Sequence, residues 1–299
     1  MTPHVSRSVP LTPARLWRAF FLAIFLAPLA WAGPPSKSTP VSPTFVQFGE
    51  PDQAKGAEIL REFRGLGIAG DYYLEFDLSF LPRRGDAVVY RGRLWGSRNA
   101  DGPVSRVVLE DGIGGVRKLL IQNGPTPVVW LWEEGMTAAK LLPESEVYAP
   151  LLPGAELTPF DLLMPYFYWD DFIFEGVSKV LGRAAHTFLL RVPVGDPADG
   201  DKLAGVRVQL DTQFRAMVQS ELIGQDGEPY KSLTLRDLKK VSDQWMIKVV
   251  DLRNEVTRDK TRFEVRRAAL NLDLSPRVFA PEALNESIAT PTETVALGR

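Results

Sequence analysis

The chain has 299 residues, of which 45% are hydrophobic and 24% charged, so it has the composition of a globular protein with one large or two small domains. A formal net charge of −2 excludes the strongly basic balance of a nucleic-acid binder. There is no cysteine, which rules out disulfides, a thiol nucleophile and thiolate metal ligation.

Residues 1–32 read as a secretory signal peptide. Arg7, Arg15 and Arg18 precede an apolar run, Ala19–Ala30, that closes on the A-x-A site Ala30-Trp31-Ala32. An apolar run of about 12–14 residues is short of the roughly 20 that a membrane span requires. An uncleaved anchor is the alternative. Cleavage would take the net charge from −2 to −5. With no cysteine to acylate, the expected product is a soluble periplasmic protein. Zero cysteine also suits a compartment that oxidises stray thiols.

Residues 33–51 hold Pro34, Pro35, Pro40, Pro43 and Pro51 with three serines, the composition of an extended linker. A first helix is predicted over 52–64. Ala57, Leu60 and Phe63 share one face, Asp52 can cap, and Gly65 and Gly67 stop it. From Tyr72 the period becomes two, with Leu74, Phe76 and Leu78 on one face and Tyr73, Glu75 and Asp77 on the other. Further strands are expected near 88–97, 104–109, 117–122, 126–132, 172–181, 184–192, 206–211, 216–223, 231–241, 245–256 and 261–270. Asp-Gly and Asn-Gly-Pro turns separate several of them. Thr158–Phe167 is the second helical candidate. The predicted class is mainly β with a few helices (α+β). The architecture is a large curved antiparallel sheet or unclosed β-barrel of about eleven strands in one domain over 52–282. The helices should cover the concave face or an open end as a short lid. Residues 283–299 read as a flexible C-terminal tail.

The chemistry-bearing candidates are few. His186 is the one histidine after the signal peptide, and a satisfied strand histidine is the simpler reading than a base or metal ligand. No Gly-x-Ser-x-Gly elbow accompanies it. Gly112-Ile-Gly-Gly115 lacks the Lys-Ser/Thr of a phosphate loop and reads as a hairpin turn. Asp170 and Asp171 are adjacent, and neighbours on a strand face opposite ways, which argues for a solvated loop rather than an acid–base pair. Basic residues at Arg236–Lys240 and Arg266-Arg267 read as outer strand faces. No catalytic residue, metal site or cofactor is therefore expected. The apolar inventory carries more information. A sheet this wide with two helices has room for a cavity lined by Tyr, Phe, Leu and Val, with a fully packed β core as the alternative.

Thr158-Pro-Phe-Asp-Leu-Leu163 with the aromatic run behind it and Phe174-Glu-Gly176 resembles the outer-membrane lipoprotein-sorting protein family, the LolA-like periplasmic carriers. So does Leu235–Lys248 with Lys260-Thr-Arg-Phe263. The resemblance spans roughly residues 50–282 and rests on hydrophobic patterns. It implies an unclosed β-barrel, a helical lid and an apolar cavity that shields acyl chains of lipoproteins or lipids. Envelope membrane proteins are the other implied partners.

Within the lid, Phe160, Leu163, Met164 and Phe167 recur at i, i+3, i+4 and i+7. Thr158 is an N-cap candidate, and Pro159 suits the first turn. Asp161 falls off the stripe, so the aspartates are expected outside. Pro165 can end the helix early. The expected cavity and lid residues are Leu74, Phe76, Leu78, Phe160, Leu163, Met164 and Phe167. Three function classes follow: a carrier for acyl chains, an envelope sensor or interaction module of the same fold, and an enzyme on lipid or glycan using Asp170, Asp171 or His186.

Overall fold

Alternating apolar side chains produce an antiparallel sheet when each strand can bury one face. The first half of the chain supplies β1 (Thr44–Phe45), β2 (Asp71–Leu81), β3 (Val88–Asn99), β4 (Gly102–Glu110), β5 (Val116–Gln122), β6 (Val128–Glu133) and β7 (Lys140–Leu141), of which β2–β6 bury such a face while the two-residue β1 and β7 are exposed. The second half of the chain supplies β8 (Phe172–Val180), β9 (Arg183–Arg191), β10 (Leu203–Asp211), β11 (Met217–Gly224), β12 (Pro229–Val241), β13 (Gln244–Asn254), β14 (Lys260–Leu272) and β15 (Val295–Ala296). The computed structural model describes residues 44–46, 49–110, 115–196, 202–214 and 216–298. The signal peptide, most of the 33–51 linker and Gly112–Gly114 of the Gly-rich turn lie outside the described residues. Within the linker, Thr44 and Phe45 pair with Lys179 and Ser178 of β8.

Among the described residues twelve strands have six or more residues, against about eleven expected, and three more have two residues each. The strand order is β1-β8-β9-β10-β11-β12-β13-β14-β2-β3-β4-β5-β6-β7, with β15 added beside β14. Neighbouring strands follow one another in the chain except at two junctions: β1 lies beside β8, and β14 lies beside β2, which joins the late strands to the early ones. The ends of this path do not pair among the described residues, so the barrel is unclosed.

Register puts one continuous apolar face inward. Phe263 sits opposite Leu78 and Val250, Leu119 opposite Leu131, and Phe174 opposite Phe188. Phe76 lies across β3 at Gly92, where a Cβ would come within 2.1 Å of its ring, so glycine is required there. Helix α1 (Gln53–Arg64) covers part of this face. Asp52 caps it by accepting from the backbone N–H groups of Ala54 and Lys55, and Gly56 lets the helix approach Phe174.

The C-terminal residues depart from expectation. A Pro/Thr-rich tail was expected to be flexible, yet Leu284 and Leu297 are buried and β15 pairs with Arg267 and Ala268 of β14. The reason is on the outer face of β4 and β5. Arg106 is 0% exposed and donates to the carbonyl oxygens of Val278, Ala283, Leu284 and Glu286. Lys118 donates to the carbonyls of Asn285 and Glu286. A buried cation needs such partners, and the tail backbone provides them. The basic residues 236, 239, 240, 266 and 267 are exposed, as outer strand faces should be.

Candidate functional site: a lid and the groove beside it

Between β7 and β8 the chain leaves the sheet and crosses the inner face. Prolines at 143, 150 and 153 prevent a strand there. Leu151 N–H bonds to Leu157 O at 2.9 Å, closing a loop whose Leu151, Leu152, Ala155 and Leu157 are buried. Helix α2 (Pro159–Leu163) follows. Thr158 Oγ1 and the Asp161 carboxylate form a reciprocal capping box, with Pro159 in the first turn.

The helix ends sooner than its stripe. Met164 adopts φ 44°, ψ 50°, and Pro165 then opens a 3-10 turn over Pro165–Tyr168. Phe160, Leu163, Met164 and Phe167 therefore do not share one helix, but the left-handed turn re-aims the chain, so Phe160, Leu163 and Phe167 are still buried.

Asp161 is corrected from outside to inside. Its side chain is 4% exposed, accepts from Thr158 N and Oγ1 at 2.8 and 2.7 Å, and is ion-paired with Lys231 Nζ, itself 9% exposed. A five-residue helix pressed between loop and sheet has no solvent side, and the inward-facing Lys231 of β12 compensates the charge. Asp170 and Asp171 are exposed as expected, with Asp171 3.6 Å from Arg191.

The lid straddles two apolar clusters. Phe76, Leu78 and Leu163 meet in one of them, with the leucines of the 151–157 loop and residues of β3–β6, β12 and β13. Phe160 and Phe167 meet in the other, with Leu60 of α1 and the apolar faces of β8–β11. Met164 packs against both. Leu74 stands apart, against Val265, Ala268 and Leu297 at the C-terminal strand. A few polar contacts tie the lid down. Asn123 Nδ2 donates to Leu162 O and Leu163 O at 2.8 and 2.7 Å, and Arg64 Nε donates to Phe167 O. Sequence reading missed Asn123 and Lys231. Asn123 looked like a turn residue in Asn-Gly-Pro, and Lys231 carried no signal beyond its place on a strand.

At the ends of the β8–β9, β10–β11 and β12–β13 hairpins a partly open groove of about 330 Å³ is lined by Leu181, Phe214, Val218, Leu235, Leu238 and Trp245 together with the charged Arg183, Arg236 and Asp237. That is at the lower end of the range for ligand pockets, about 300–1,000 Å³. Leu235 belongs to the first cluster and Leu238 packs against it, so the β12 side of the groove joins the core that includes the lid leucines, whereas Val218 belongs to a separate cluster with Val180 and Ala185. The apolar residues of the groove were also missed. Their signal is an aromatic or leucine placed where a hairpin end should be polar.

A smaller hollow lies between α1 and β9–β10, beside Lys55, Phe63, His186 and Asp211. His186 is not the satisfied strand histidine expected. Its Nδ1 is buried without a hydrogen-bond partner, and its ring lies 5.9 Å from that of Phe174. Desolvation, and secondarily the charge of Lys55, hold its pKa below the ordinary imidazole value. Among the described residues no group of three or more His, Asp or Glu side chains is placed to hold a metal.

Comparison with known proteins bears on the fold. A family profile described only as an uncharacterized-protein family matches residues 198–286, and no curated protein matches the chain. A domain from Vibrio parahaemolyticus, provisionally described as an outer membrane lipoprotein-sorting protein, superposes with a TM-score of 0.67 at 18% identity, covering 78% of this chain and 99% of that one. A DUF1329 family protein from Desulfovibrio piger gives 0.67 at 13%, covering 79% and 100%. A LolA superfamily protein from Nitrosomonas europaea gives 0.58 at 10%, covering 75% and 96%. With an unclosed antiparallel barrel, a short lid helix and these superpositions along three quarters of its length, the chain has the LolA-like fold.

Proposed function

We propose that this protein is a periplasmic carrier or binding protein that shields lipid or lipoprotein acyl chains on the apolar inner face of its barrel, without catalysis. The observation that carries this reading is that Leu235 and Leu238 of the open groove belong to, or pack on, the same aliphatic cluster as the lid leucines. The signal-peptide pattern read in residues 1–32 of the sequence supports the compartment.

The energetics favour exchange over the filling of an empty cavity. An acyl chain of about 14 methylenes gains on the order of 11 kcal/mol gross on leaving water. The leucines at 151, 152, 157 and 163 now cover that face. Displacing them costs about 1.5–3 kcal/mol each, or roughly 6–12 kcal/mol. The two amounts nearly balance. A carrier of this kind takes up a chain as the lid leucines give way and releases it as they return.

The test is native mass spectrometry of protein exported to a bacterial periplasm, beside titration with a fluorescent fatty acid. Co-purifying lipid and saturable uptake are expected. Neither lipid nor probe, with one stoichiometric protein in a pull-down, would replace the carrier by an envelope interaction module of the same fold.

A further inference from the structure

At the mouth of the groove three separate hairpin ends meet. Leu181 is at the β8–β9 turn, Phe214 at the β10–β11 turn and Trp245 at the β12–β13 turn. Leu181 is 56% exposed and Trp245 55%, while Ile247, two residues along the same strand face, is 44% exposed. They form a built rim. Arg183 stacks 4.7 Å over the Phe214 ring, and Phe214 meets Trp245 edge-on at 5.9 Å.

The charges around this rim are predominantly positive. Lys179, Arg183, Arg236, Lys239 and Lys240 are exposed on the same hairpin ends. Of the nearby acids, Asp211 is buried against Arg183 at 3.1 Å, and Asp237 lies 3.5 Å from the buried Lys248. Arg236 reaches Asp251 at 3.1 Å, but that carboxylate also takes Arg262 at 2.7 Å and has Lys260 at 3.7 Å. Asp243, near Lys240 at 3.7 Å, is the remaining acid.

We infer that this rim docks on the surface of an anionic lipid bilayer. The inference rests on the carrier reading and names the surface from which the chain is taken or to which it is given. Tryptophan beside lysines is the pairing that settles at a membrane interface, the ring among the headgroups and the ammonium groups toward anionic lipid. The rim is made of projecting turns whose strands are already paired, so it offers no free edge to an added peptide strand. Docked there, the groove opens onto the headgroup layer, and an acyl chain passes from bilayer to barrel without crossing water.

The experiment is co-sedimentation of the exported chain with vesicles of 3:1 phosphatidylcholine:phosphatidylglycerol and with pure phosphatidylcholine, alongside fatty-acid probe binding without vesicles. Binding to the anionic vesicles, weak binding to the neutral ones and release by salt are expected. Lys239→Glu with Lys240→Glu should weaken vesicle binding at least about tenfold, from about 1 kcal/mol per basic residue at the surface, and leave probe binding unchanged. Phe214→Ser with Trp245→Ser should abolish vesicle binding, with the thermal melt confirming folding.

No sedimentation with anionic vesicles, or sedimentation indifferent to both variants, would overturn the inference. So would a concentration-dependent dimer lost in the Phe214/Trp245 variant, which would assign the rim to a second copy of the chain. Probe binding without docking refutes docking and spares the carrier. Docking without probe binding refutes the carrier.

Discussion

The two halves of the inner face are built from different side chains. Beneath α1, six of the thirteen buried members of the cluster are aromatic: Phe160, Tyr166, Phe167, Trp169, Phe174 and Phe188. On the side that continues into the groove, two of eighteen are aromatic, Phe76 and Tyr90, and the rest are aliphatic. Rings interlock with preferred tilts and leave few alternative packings, whereas leucines and valines can be replaced by a methylene chain of similar volume. Phe160 lies 5.7 Å from Tyr166 and 6.3 Å from Trp169, and Phe63 lies 4.7 Å from Phe167. The aromatic half anchors the lid, and on the proposed carrier reading the aliphatic half is where a ligand would exchange with it.

Phe160→Ala should do the most damage. A ring 1% exposed is removed from the centre of the anchor, and a loss of about 3–5 kcal/mol in urea unfolding is expected. Fatty acid should not restore it. Restoration by the probe would mean that the aromatic half also exchanges, and the distinction between halves would fail.

Asp161→Asn comes next, because it leaves Lys231 buried without its counter-charge. A loss of about 3 kcal/mol is expected, at the low end for a broken buried pair. Adding Lys231→Met should return most of that loss, since the unpaired charge, not the missing attraction, is the main penalty. A double variant no more stable than Asp161→Asn would show that the capping box matters more than the pair.

Leu163→Ala, on the aliphatic side, should cost about 2–3 kcal/mol, less than Phe160→Ala, and the fatty-acid probe should recover part of it. The measurement is the midpoint shift on adding probe, expected to be larger in the variant than in the wild type. Asn123→Ala removes two hydrogen bonds to the lid backbone at Leu162 and Leu163. It should cost about 1–2 kcal/mol and raise the rate of probe uptake in stopped flow.

Legibility in the sequence followed the range of the interactions. The long strands could be read because alternation is local, and the strands expected at 72–80 and 261–270 are β2 and β14. The α1 cap at Asp52 and the early stop at Pro165 were legible for the same reason. What could not be read depends on partners distant along the chain. Asp161 looks solvated until Lys231, seventy positions on, is placed beneath it. The tail looks free until Arg106 demands its carbonyls, and Leu74 falls outside the lid cluster because Leu297 returns to cover it. The groove was invisible because Leu181, Phe214 and Trp245 lie on three different hairpins.

The smallest expected effect belongs to the anchor half and concerns pH. His186 packs against Phe174 in the hollow under α1, faced by Lys55, Glu62 and Asp211. Its pKa is lowered, by desolvation first and Lys55 second, from the usual 6.5. As pH falls through about 6.5 the unfolded chain takes up its proton while the folded protein resists, so the unfolded state is favoured. The contribution is therefore fully present above the unfolded value and is lost as pH drops toward the folded one. Replacing the imidazole with a group that does not titrate removes this dependence. His186→Phe should unfold at nearly the same urea midpoint at pH 7 and at pH 5.5, where the wild type loses stability. An equal loss in both proteins would mean that the histidine is solvated in the folded state and that the anchor half excludes water less well than its aromatic packing implies.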